Sequence, residues 1–409
     1  MQVYVFADWQ GLAEPSLVGT LHTDKIKGKE HFRFAYDEYW LENFAQQIDP
    51  DLHLFRGEQH STNSQNFRIF LDSCPDRWGR LLMKRREAFK ANQEQRRPNQ
   101  LGEIDYLLGV HDINRMGALR FKTDLTGDFL DNQNRFATPP ISSLRELEYA
   151  SLQVEQDNTQ DSDYLKWLSM LISPGSSLGG ARPKASVIDE HKQLWIAKFP
   201  SRYDDYDIGA WEFVAYRLAV QAGIQMAECR IERFSQPYHT FLTKRFDRVN
   251  TQRLHFTSAL TQLGYYDGDY EASYLEIAQF LTEQGSDTKD NLAQLWRRIV
   301  FNIAISNADD HLRNHGFLMS ANGWKLSPAY DLNPLPYAQG LHLNITDNDN
   351  RLSFDLAFEV ANFFQLTQKQ ANDIYIEVIN SVKHWQTIAT ETGISRAEQE
   401  RMKSAFKIE

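Results

Sequence analysis

Along residues 291–332 the spacing of apolar residues changes from that of a helix to that of a β-hairpin. Apolar residues recur at intervals of three and four from 291 to 306, as in an amphipathic helix, with Asp290 or Asn291 as the candidate cap. Two short apolar runs then flank the pair Asn322-Gly323, the strongest short-range signal for a two-residue β-hairpin. We therefore predict an α+β fold.

The length and the texture of the sequence predict several regions. A chain of 409 residues suggests two or three domains. Residues 1–121 mix strand-like runs such as VYVFA and FRFAY with a basic helical segment, which predicts a β-rich N-terminal domain. Residues 122–144 are rich in Asp, Asn, Thr and Pro and are predicted to be a connecting segment. Residues 145–248 should contain a glycine-rich loop and a hairpin, and residues 249–409 should be mostly helical.

The charge of the chain argues against one class of function. The formal net charge is -11, so there is no global basic field to attract the phosphates of a nucleic acid. The most basic stretch, residues 84–97, is interleaved with Glu87 and Glu94, which favours a solvated helix face.

Cysteine content and hydropathy predict the compartment. Cys74 and Cys229 are the two cysteines, too few for a disulfide framework and typical of a reducing cytoplasm. The first residues, MQVYVFADWQG, lack the basic region of a signal peptide, and nowhere do 18 apolar residues run together. We expect a cytoplasmic protein that does not enter a membrane.

The stretch NADDHLRNHGFL follows the predicted helix and is crowded with polar residues. Because the hairpin turns the chain back, Asp331 should lie near Asp309 and Asn314. In protein-kinase-like folds one Asp deprotonates the acceptor hydroxyl, an Asn five residues later holds magnesium, and an Asp after a hairpin bridges the metal ions. Magnesium prefers such oxygen ligands. His311 is expected to support this loop.

The upstream sequence supplies the other parts of a kinase in the usual order. The segment SSLGGARPK offers Gly179 and Gly180, which let backbone amides approach phosphates, and then the basic residue Lys184. Lys198 lies on the next strand, where a lysine neutralises the α and β phosphates, and Glu212 lies in the next helix as its expected ion-pair partner. These residues predict a kinase that uses ATP and magnesium.

A rival interpretation treats part of the polar cluster as transition-metal ligands for hydrolysis. It leaves the glycine-rich segment and the strand lysine unexplained, and two of its members, Asp310 and His315, can be ordinary solvent-facing residues. The candidate ligands are Asp309, Asp310, His311, His315 and His342.

The motifs SSLGGARPKASV, IAKFP, KRFDR, NADDHLRN and SPAYDL, in this order, resemble the HipA family of bacterial toxin kinases. VGTLH, PDRWGRLLMKRRE and RMGALRF resemble the N-terminal region of that family, so the resemblance covers nearly the whole chain. It implies a protein-kinase-like, two-lobed fold with an extra β-rich N-terminal domain. Residues 145–248 would then be the region like a kinase N-lobe, and residues 249–409 the helical C-lobe with the catalytic loop.

The resemblance also implies roles for individual residues. Asp309 would be the catalytic base, Asn314 and Asp331 the magnesium ligands, and Lys198 the phosphate-binding lysine. The segment KRFDR would be the hinge, with Lys244 and Phe246 contacting adenine through the backbone.

In the family a serine at the start of the glycine-rich loop is autophosphorylated, which shuts the kinase off. Ser177 matches that position by its spacing to Lys184, and the neighbouring Ser176 could share the role. A phosphate there would add about two negative charges beside the place of the ATP phosphates, so repulsion gives a physical reason for inhibition. A serine that merely begins the loop is the plain alternative.

The resemblance further implies a serine/threonine kinase that is the toxin of a type II toxin-antitoxin module. Family substrates are aminoacyl-tRNA synthetases, whose phosphorylation stalls translation and gives growth arrest and drug tolerance. The partner would be a small, HipB-like helix-turn-helix antitoxin. An acidic chain would then contact DNA mainly through the antitoxin.

Two other functions stay open at this level. The pattern D-x-H-x-x-N also occurs in small-molecule kinases of the aminoglycoside or choline type. A corepressor that keeps a kinase fold without activity is the other alternative, although the catalytic set of residues is complete in this sequence.

Overall fold

The computed structural model describes residues 1–62, 65–132, 138–156, 164–172, 180, 182–269 and 271–408. The chain divides into two compact units. Unit 1 comprises Met1–Arg202 and Asp247–Thr257, and unit 2 comprises Tyr203–Phe246 and Ser258–Glu409. The domain bounds drawn from the sequence stay a prediction.

Helices and strands both occur along the described chain. The strands are β1 (Gln2–Ala7), β2 (Ser16–Ile26), β3 (Lys29–Tyr36), β4 (Glu58–His60), β5 (Leu119–Lys122), β6 (Lys184–Ile188), β7 (Leu194–Lys198), β8 (Cys229–Glu232), β9 (Thr240–Lys244), β10 (Arg248–Val249), β11 (Gln252–Arg253), β12 (Phe256–Ser258), β13 (Gly316–Ser320) and β14 (Gly323–Leu326). The helices are α1 (Glu38–Asn43), α2 (Arg68–Asp72), α3 (Arg77–Gln93), α4 (Glu103–Leu108), α5 (Leu144–Glu155), α6 (Tyr164–Ile172), α7 (Ile208–Gln221), α8 (Ala259–Gln262), α9 (Tyr274–Gln284), α10 (Thr288–Ile305), α11 (Phe354–Val360), α12 (Gln368–Val382), α13 (Trp385–Glu391) and α14 (Arg396–Met402).

Unit 1 begins with an antiparallel five-stranded sheet in the order β4-β3-β2-β1-β5. Alternate residues of β1, namely Val3, Val5 and Ala7, are fully buried, while the residues between them are partly exposed. This alternation places one face of the sheet on the core of the unit and leaves the other face toward solvent. The strand-like runs VYVFA and FRFAY lie in β1 and β3 of this sheet.

Unit 1 also contains the hairpin predicted after the glycine-rich segment. Strands β6 and β7 are antiparallel, and Lys184 pairs directly with Lys198. Directly opposed residues of such a pair have their side chains on the same face, so both lysines lie on one face of the hairpin.

The segment Asp247–Thr257 is tied to unit 1 by buried polar contacts. The carboxylate of Asp247, which is fully buried, accepts hydrogen bonds from the Gly117 backbone at 2.8 Å and from Arg248 at 2.5 Å. Arg253 donates to the carboxylate of Asp112 at 3.2 Å. Gly117 has φ of +72°, in the left-handed region that glycine adopts without strain.

Unit 2 is built around a large apolar core of helices. Helix α10 lies at its centre, and residues such as Leu295, Ile299 and Ile303 are fully buried at the spacing that predicted the helix. The predicted cap was wrong. The helix begins at Thr288, one turn earlier, after Asp287 with φ of +52° and no side-chain capping bond. None of the described helices is both long enough and apolar enough to cross a membrane.

The hairpin predicted beyond the polar cluster is present in unit 2, with one change. Strands β13 and β14 pair antiparallel, from Phe317 opposite Leu326 to Ser320 opposite Gly323. The two residues of the turn are therefore 321 and 322, and Gly323 opens the second strand instead of lying in the turn. Its φ of +130° explains why glycine stands there.

Candidate active site

After helix α10 the chain passes through Ser306 into residues 307–315, the polar loop. This residue caps the helix in the left-handed conformation, with φ of +52°. Its carbonyl accepts hydrogen bonds from the Ala308 backbone at 2.9 Å and from the Leu335 backbone at 3.3 Å. The loop that carries Asp309 thus starts from the rigid end of a buried helix.

Asp309 and Asn314 are held together by the fold of this loop. The side-chain amide of Asn314 donates to the Asp309 carbonyl at 3.0 Å, and its backbone N–H donates to the His311 carbonyl at 2.8 Å. Asn314 is 3% exposed, whereas the Asp309 side chain is exposed. The loop therefore presents one carboxylate to solvent beside one fixed, buried amide.

The amide oxygen of Asn314 points to a ligand. Oδ1 is buried, and no hydrogen-bond donor meets it anywhere in the described part of the chain. A buried acceptor without a donor is costly, so such atoms in folded proteins usually meet water or an ion. An amide oxygen is a ligand that suits magnesium, and this atom fits the role predicted for Asn314.

Asp331 lies between two residues that are anchored to the same loop. On one side, the hydroxyl of Tyr330 donates to the Arg313 carbonyl at 2.6 Å. On the other side, the Asn333 backbone donates to the side-chain oxygen of Asn307 at 3.3 Å. The predicted return of Asp331 to the polar loop is thus supported by contacts before and after it. Asp331 itself is half-buried, with φ of +59°.

The carboxylate of Asp310 is the buried anchor of the loop. Its Oδ2 accepts from the Tyr274 hydroxyl at 2.5 Å and from the Asn302 amide at 2.8 Å, and lies 2.8 Å from Nε2 of His315. Burial raises the pKa of Asp310, but His315 and the Tyr274 hydroxyl outweigh this, so the pKa lies below its ordinary value. Burial and the adjacent Asp310 raise the pKa of Tyr274 well above its ordinary value.

The sequence interpretation of two of these residues was wrong. Asp310 and His315 are not solvent-facing, because each is 1% exposed. Their partners Tyr274 and Asn302 were also missed, although Asn302 gave a signal: it is a polar residue on the apolar side of α10. A polar side chain at a core position requires a buried partner.

His311 lies beside His342, with ring centroids 5.8 Å apart and planes at 81°. Burial lowers the pKa of His342, and the neighbouring His311 lowers it further. Among the residues that the structure describes, no group of three or more His, Cys, Asp or Glu is placed to hold a metal ion. The transition-metal interpretation therefore gains no support from this arrangement.

The hinge residues implied by the resemblance lie at the end of β9 in unit 2. The Lys244 backbone donates to the Glu228 carbonyl at 2.8 Å. The ring of Phe246 stacks on Tyr330, with centroids 5.5 Å apart and planes at 27°. Tyr330 thereby contacts both the candidate hinge and the polar loop. Glu212 is buried in α7, at 5% exposure.

The glycine-rich segment is described only in part. Ser176, Ser177 and Gly179 lie outside the described residues. Gly180 has φ of +90°, and a Cβ at this position would lie 3.3 Å from the ammonium nitrogen of Lys184. The positive φ favours glycine at this position, whereas the contact with the flexible end of Lys184 would need a shift of only a few tenths of an ångström.

Lys184 and Lys198 differ in their surroundings although they are cross-strand partners. The ammonium group of Lys184 lies 2.8 Å from Asp76, and the two side chains are 3% and 5% exposed. Burial raises the pKa of Asp76, against the opposing charge of Lys184. Lys198 is only half-buried. Asp76 thus neutralises one of two opposed positive charges, which would otherwise repel each other.

Comparison with known proteins gives the family. The model of the HipA-like C-terminal domain family matches residues 176–386, which is just over half of the chain. This chain belongs to that family.

Solved structures give the fold. The structure of HipA from Shewanella oneidensis, in a toxin-antitoxin complex with HipB and operator DNA, matches with a TM-score of 0.66 at 18% identity. The match covers 98% of this chain and 94% of that one. It confirms the predicted α+β, kinase-like fold.

Curated relatives are similar over shorter stretches. The serine/threonine-protein kinase toxin HipA of Shewanella oneidensis is 27% identical over 274 residues, 56% of this chain and 59% of the relative. A Haemophilus influenzae protein, provisionally described as a kinase, is 28% identical over 183 residues, 38% of this chain and 52% of the relative. The chain thus spans about half to three fifths of the length of these relatives.

Proposed function

We propose that this chain is an ATP-dependent serine/threonine protein kinase that acts as the toxin of a toxin-antitoxin module. The observation that carries the proposal is the polar loop of unit 2. There a buried and unsatisfied Asn314 oxygen, an exposed Asp309 and an anchored Asp331 occur together in a chain of the HipA-like family. The proposed chemistry is the transfer of the γ-phosphoryl group of ATP to a hydroxyl group.

In the proposed mechanism each residue of the loop has a separate task. Asp309 accepts the proton of the acceptor hydroxyl, and its exposure leaves that carboxylate open to a protein substrate. Asn314 and Asp331 would hold magnesium through their side-chain oxygens. Magnesium, when bound, neutralises charge on the phosphates. Asp310 keeps the loop rigid, and His311 is proposed to support it from its half-buried position.

Nucleotide binding is assigned to residues upstream of the loop. Lys198 would neutralise the α and β phosphates, with Glu212 as its ion-pair partner. Gly179, Gly180 and Lys184 would belong to the phosphate-binding segment. The backbone of Lys244 and Phe246 would contact adenine, and the stacking of Phe246 on Tyr330 gives that backbone a fixed position. Ser177, or alternatively Ser176, is the proposed site of autophosphorylation.

Partners are proposed from the relatives. A HipB-like helix-turn-helix antitoxin would bind this chain and supply most DNA contacts, as the net charge of -11 favours. The proposed substrate is a translation component such as an aminoacyl-tRNA synthetase.

The test uses labelled ATP, magnesium and a cell lysate with the full chain. We expect label in a protein band with the parent protein and none with Asp309→Asn, which keeps the shape of the side chain but lacks the base. The matched control is Asp290→Asn, an exposed carboxylate in the first turn of α10, which should label like the parent.

Other outcomes distinguish the alternatives. Label that appears only in small molecules would replace the proposal with a small-molecule kinase. Growth arrest by overproduced Asp309→Asn as strong as that by the parent would overturn the kinase-toxin function and favour a corepressor.

A further inference from the structure

Two asparagines, Asn302 and Asn307, are buried behind the polar loop at 0% and 1% exposure. The Asn302 amide donates to the carboxylate of Asp310 at 2.8 Å. The Asn307 amide nitrogen donates to the side-chain oxygen of Asn302 at 3.1 Å. The Asn307 side-chain oxygen accepts from the Asn333 backbone at 3.3 Å. These contacts form a continuous chain of hydrogen bonds from Asp310 to Asn333.

Each amide in this chain has one possible orientation. Since Asn302 gives its NH₂ group to a carboxylate, its oxygen must face Asn307 and can only accept. The NH₂ group of Asn307 must therefore face Asn302, which turns its oxygen to the Asn333 N–H group. A rotation of either amide by half a turn would bring like groups together in a buried place.

The last residue of this series of hydrogen bonds, Asn333, lies in the segment that carries Asp331. Asn333 is two residues beyond Asp331, and its side-chain amide lies 3.5 Å from an oxygen of that carboxylate, at the outer limit of a hydrogen bond. The Leu335 backbone donates to the Ser306 carbonyl at 3.3 Å. The residues that immediately precede Asp309 thus hold the segment that immediately follows Asp331.

We propose that Asn307 is a positioning residue for magnesium binding, because its amide sets the place of Asp331 relative to the loop that carries Asp309 and Asn314. This inference rests on the proposed function. Asn307 itself binds no ligand in the proposal and acts through Asn302 and Asn333. Residues that orient metal ligands in this way typically change metal affinity by about 10- to 100-fold when they are replaced.

The variant that tests the proposal is Asn307→Asp. It keeps the size of the side chain and the acceptor for Asn333, but it loses the donor and places a carboxylate oxygen against the oxygen of Asn302. We expect the dissociation constant for Mg²⁺·ADP, measured by calorimetry on the full chain, to rise about tenfold. The magnesium concentration for half-maximal phosphoryl transfer should rise similarly. Hydrogen exchange at the Asn333 and Leu335 amides should become faster.

The matched control is Asn291→Asp, at the other end of α10. Its amide also joins two segments, since it donates to the Ser286 carbonyl at 2.6 Å and accepts from the Leu326 backbone at 2.8 Å. About 21 Å of helix lies between Asn291 and Ile305, the last residue of α10. We expect Asn291→Asp to lower the melting temperature and to leave the magnesium dependence unchanged.

The remaining outcomes separate this inference from the proposed function. Unchanged Mg²⁺·ADP affinity in Asn307→Asp, or equal shifts in both variants, overturns the positioning role while the kinase function stands. A parent protein that binds no Mg²⁺·ADP and transfers no phosphoryl group overturns both. If Asn307→Asp does not fold, Asn307→Ser, which removes the amide with less repulsion, is measured in its place with the same expected shift.

Discussion

Two histidines are buried to the same extent, one in each unit, and both contact an aromatic ring, but His315 also lies beside a carboxylate. His255 of unit 1 and His315 of unit 2 are each 1% exposed. His255 stacks on Trp9, with ring centroids 4.7 Å apart, and burial lowers its pKa to about 3. His315 lies 2.8 Å from the carboxylate of Asp310 and edge-on to the ring of Tyr274.

The difference shows that burial alone does not decide what a polar group does. Beside the Trp9 ring, the loss of solvation determines the pKa of His255, so this histidine is kept neutral. Beside a carboxylate, the histidine belongs to a hydrogen-bonded network that fixes the loop of the candidate active site. The unit 1 site is therefore sensitive to acid, and the unit 2 site is sensitive to the loss of one partner.

The largest effect is expected from Asp310→Ala. Removal of the carboxylate leaves His315, the Tyr274 hydroxyl and the Asn302 amide without their buried acceptor. Each buried donor that loses its acceptor costs about 1 to 3 kcal/mol, so we expect a loss of at least about 3 kcal/mol of unfolding free energy. Urea unfolding at neutral pH measures the change, and a loss below about 1 kcal/mol would contradict the anchoring role.

An intermediate loss of unfolding free energy is expected when unit 1 is exposed to acidic pH. The folded-state pKa of His255, about 3, lies below the ordinary value of 6.5, so only the unfolded chain takes up a proton as the pH falls through this window. Between about pH 7.5 and about pH 5 this group alone should lower the unfolding free energy by about 2 kcal/mol. His255→Phe should remove that part of the pH dependence.

The comparison with Asp310 sharpens this measurement. The folded-state pKa of Asp310 lies below the ordinary 3.8, so its contribution to stability is present above that value and is lost only at lower pH. Asp310 should therefore add no slope between about pH 7.5 and about pH 5. Equal slopes in the parent and His255→Phe would show that the His255 site does not titrate as its burial implies.

Local features were predicted from the sequence better than the contacts between buried polar side chains. Helix α10 and the hairpin of β13 and β14 follow from apolar spacing and a turn signal, which are properties of neighbouring residues. The predicted cap of α10 was wrong because Asn291 lies within the helix. Its side-chain amide there contacts the backbone of Ser286 and Leu326.

The role of Asp310 could not be predicted, because it depends on residues distant in sequence. Tyr274 lies 36 positions away and Asn302 lies 8 positions away. The residues next to Asp310 in the sequence do not indicate whether its side chain faces solvent or the core. The spacing singled out Asn314 as a magnesium ligand, which stays a prediction, and the unsatisfied state of its oxygen is visible only in the structure.

The smallest effect is expected from Asp267→Ala. This variant removes an exposed partner of Arg313 in the polar loop, for comparison with the buried partners of Asp310. Arg313 donates to both oxygens of Asp267, at 2.6 and 2.9 Å, so its geometry is as good as that of the buried contacts of Asp310. However, the Asp267 side chain is 63% exposed, so water already solvates the carboxylate of this pair. We expect a loss of less than about 1 kcal/mol in urea unfolding, falling further as salt is added. A loss equal to that of Asp310→Ala would show that geometry, and not burial with several donors, sets the stability of the loop.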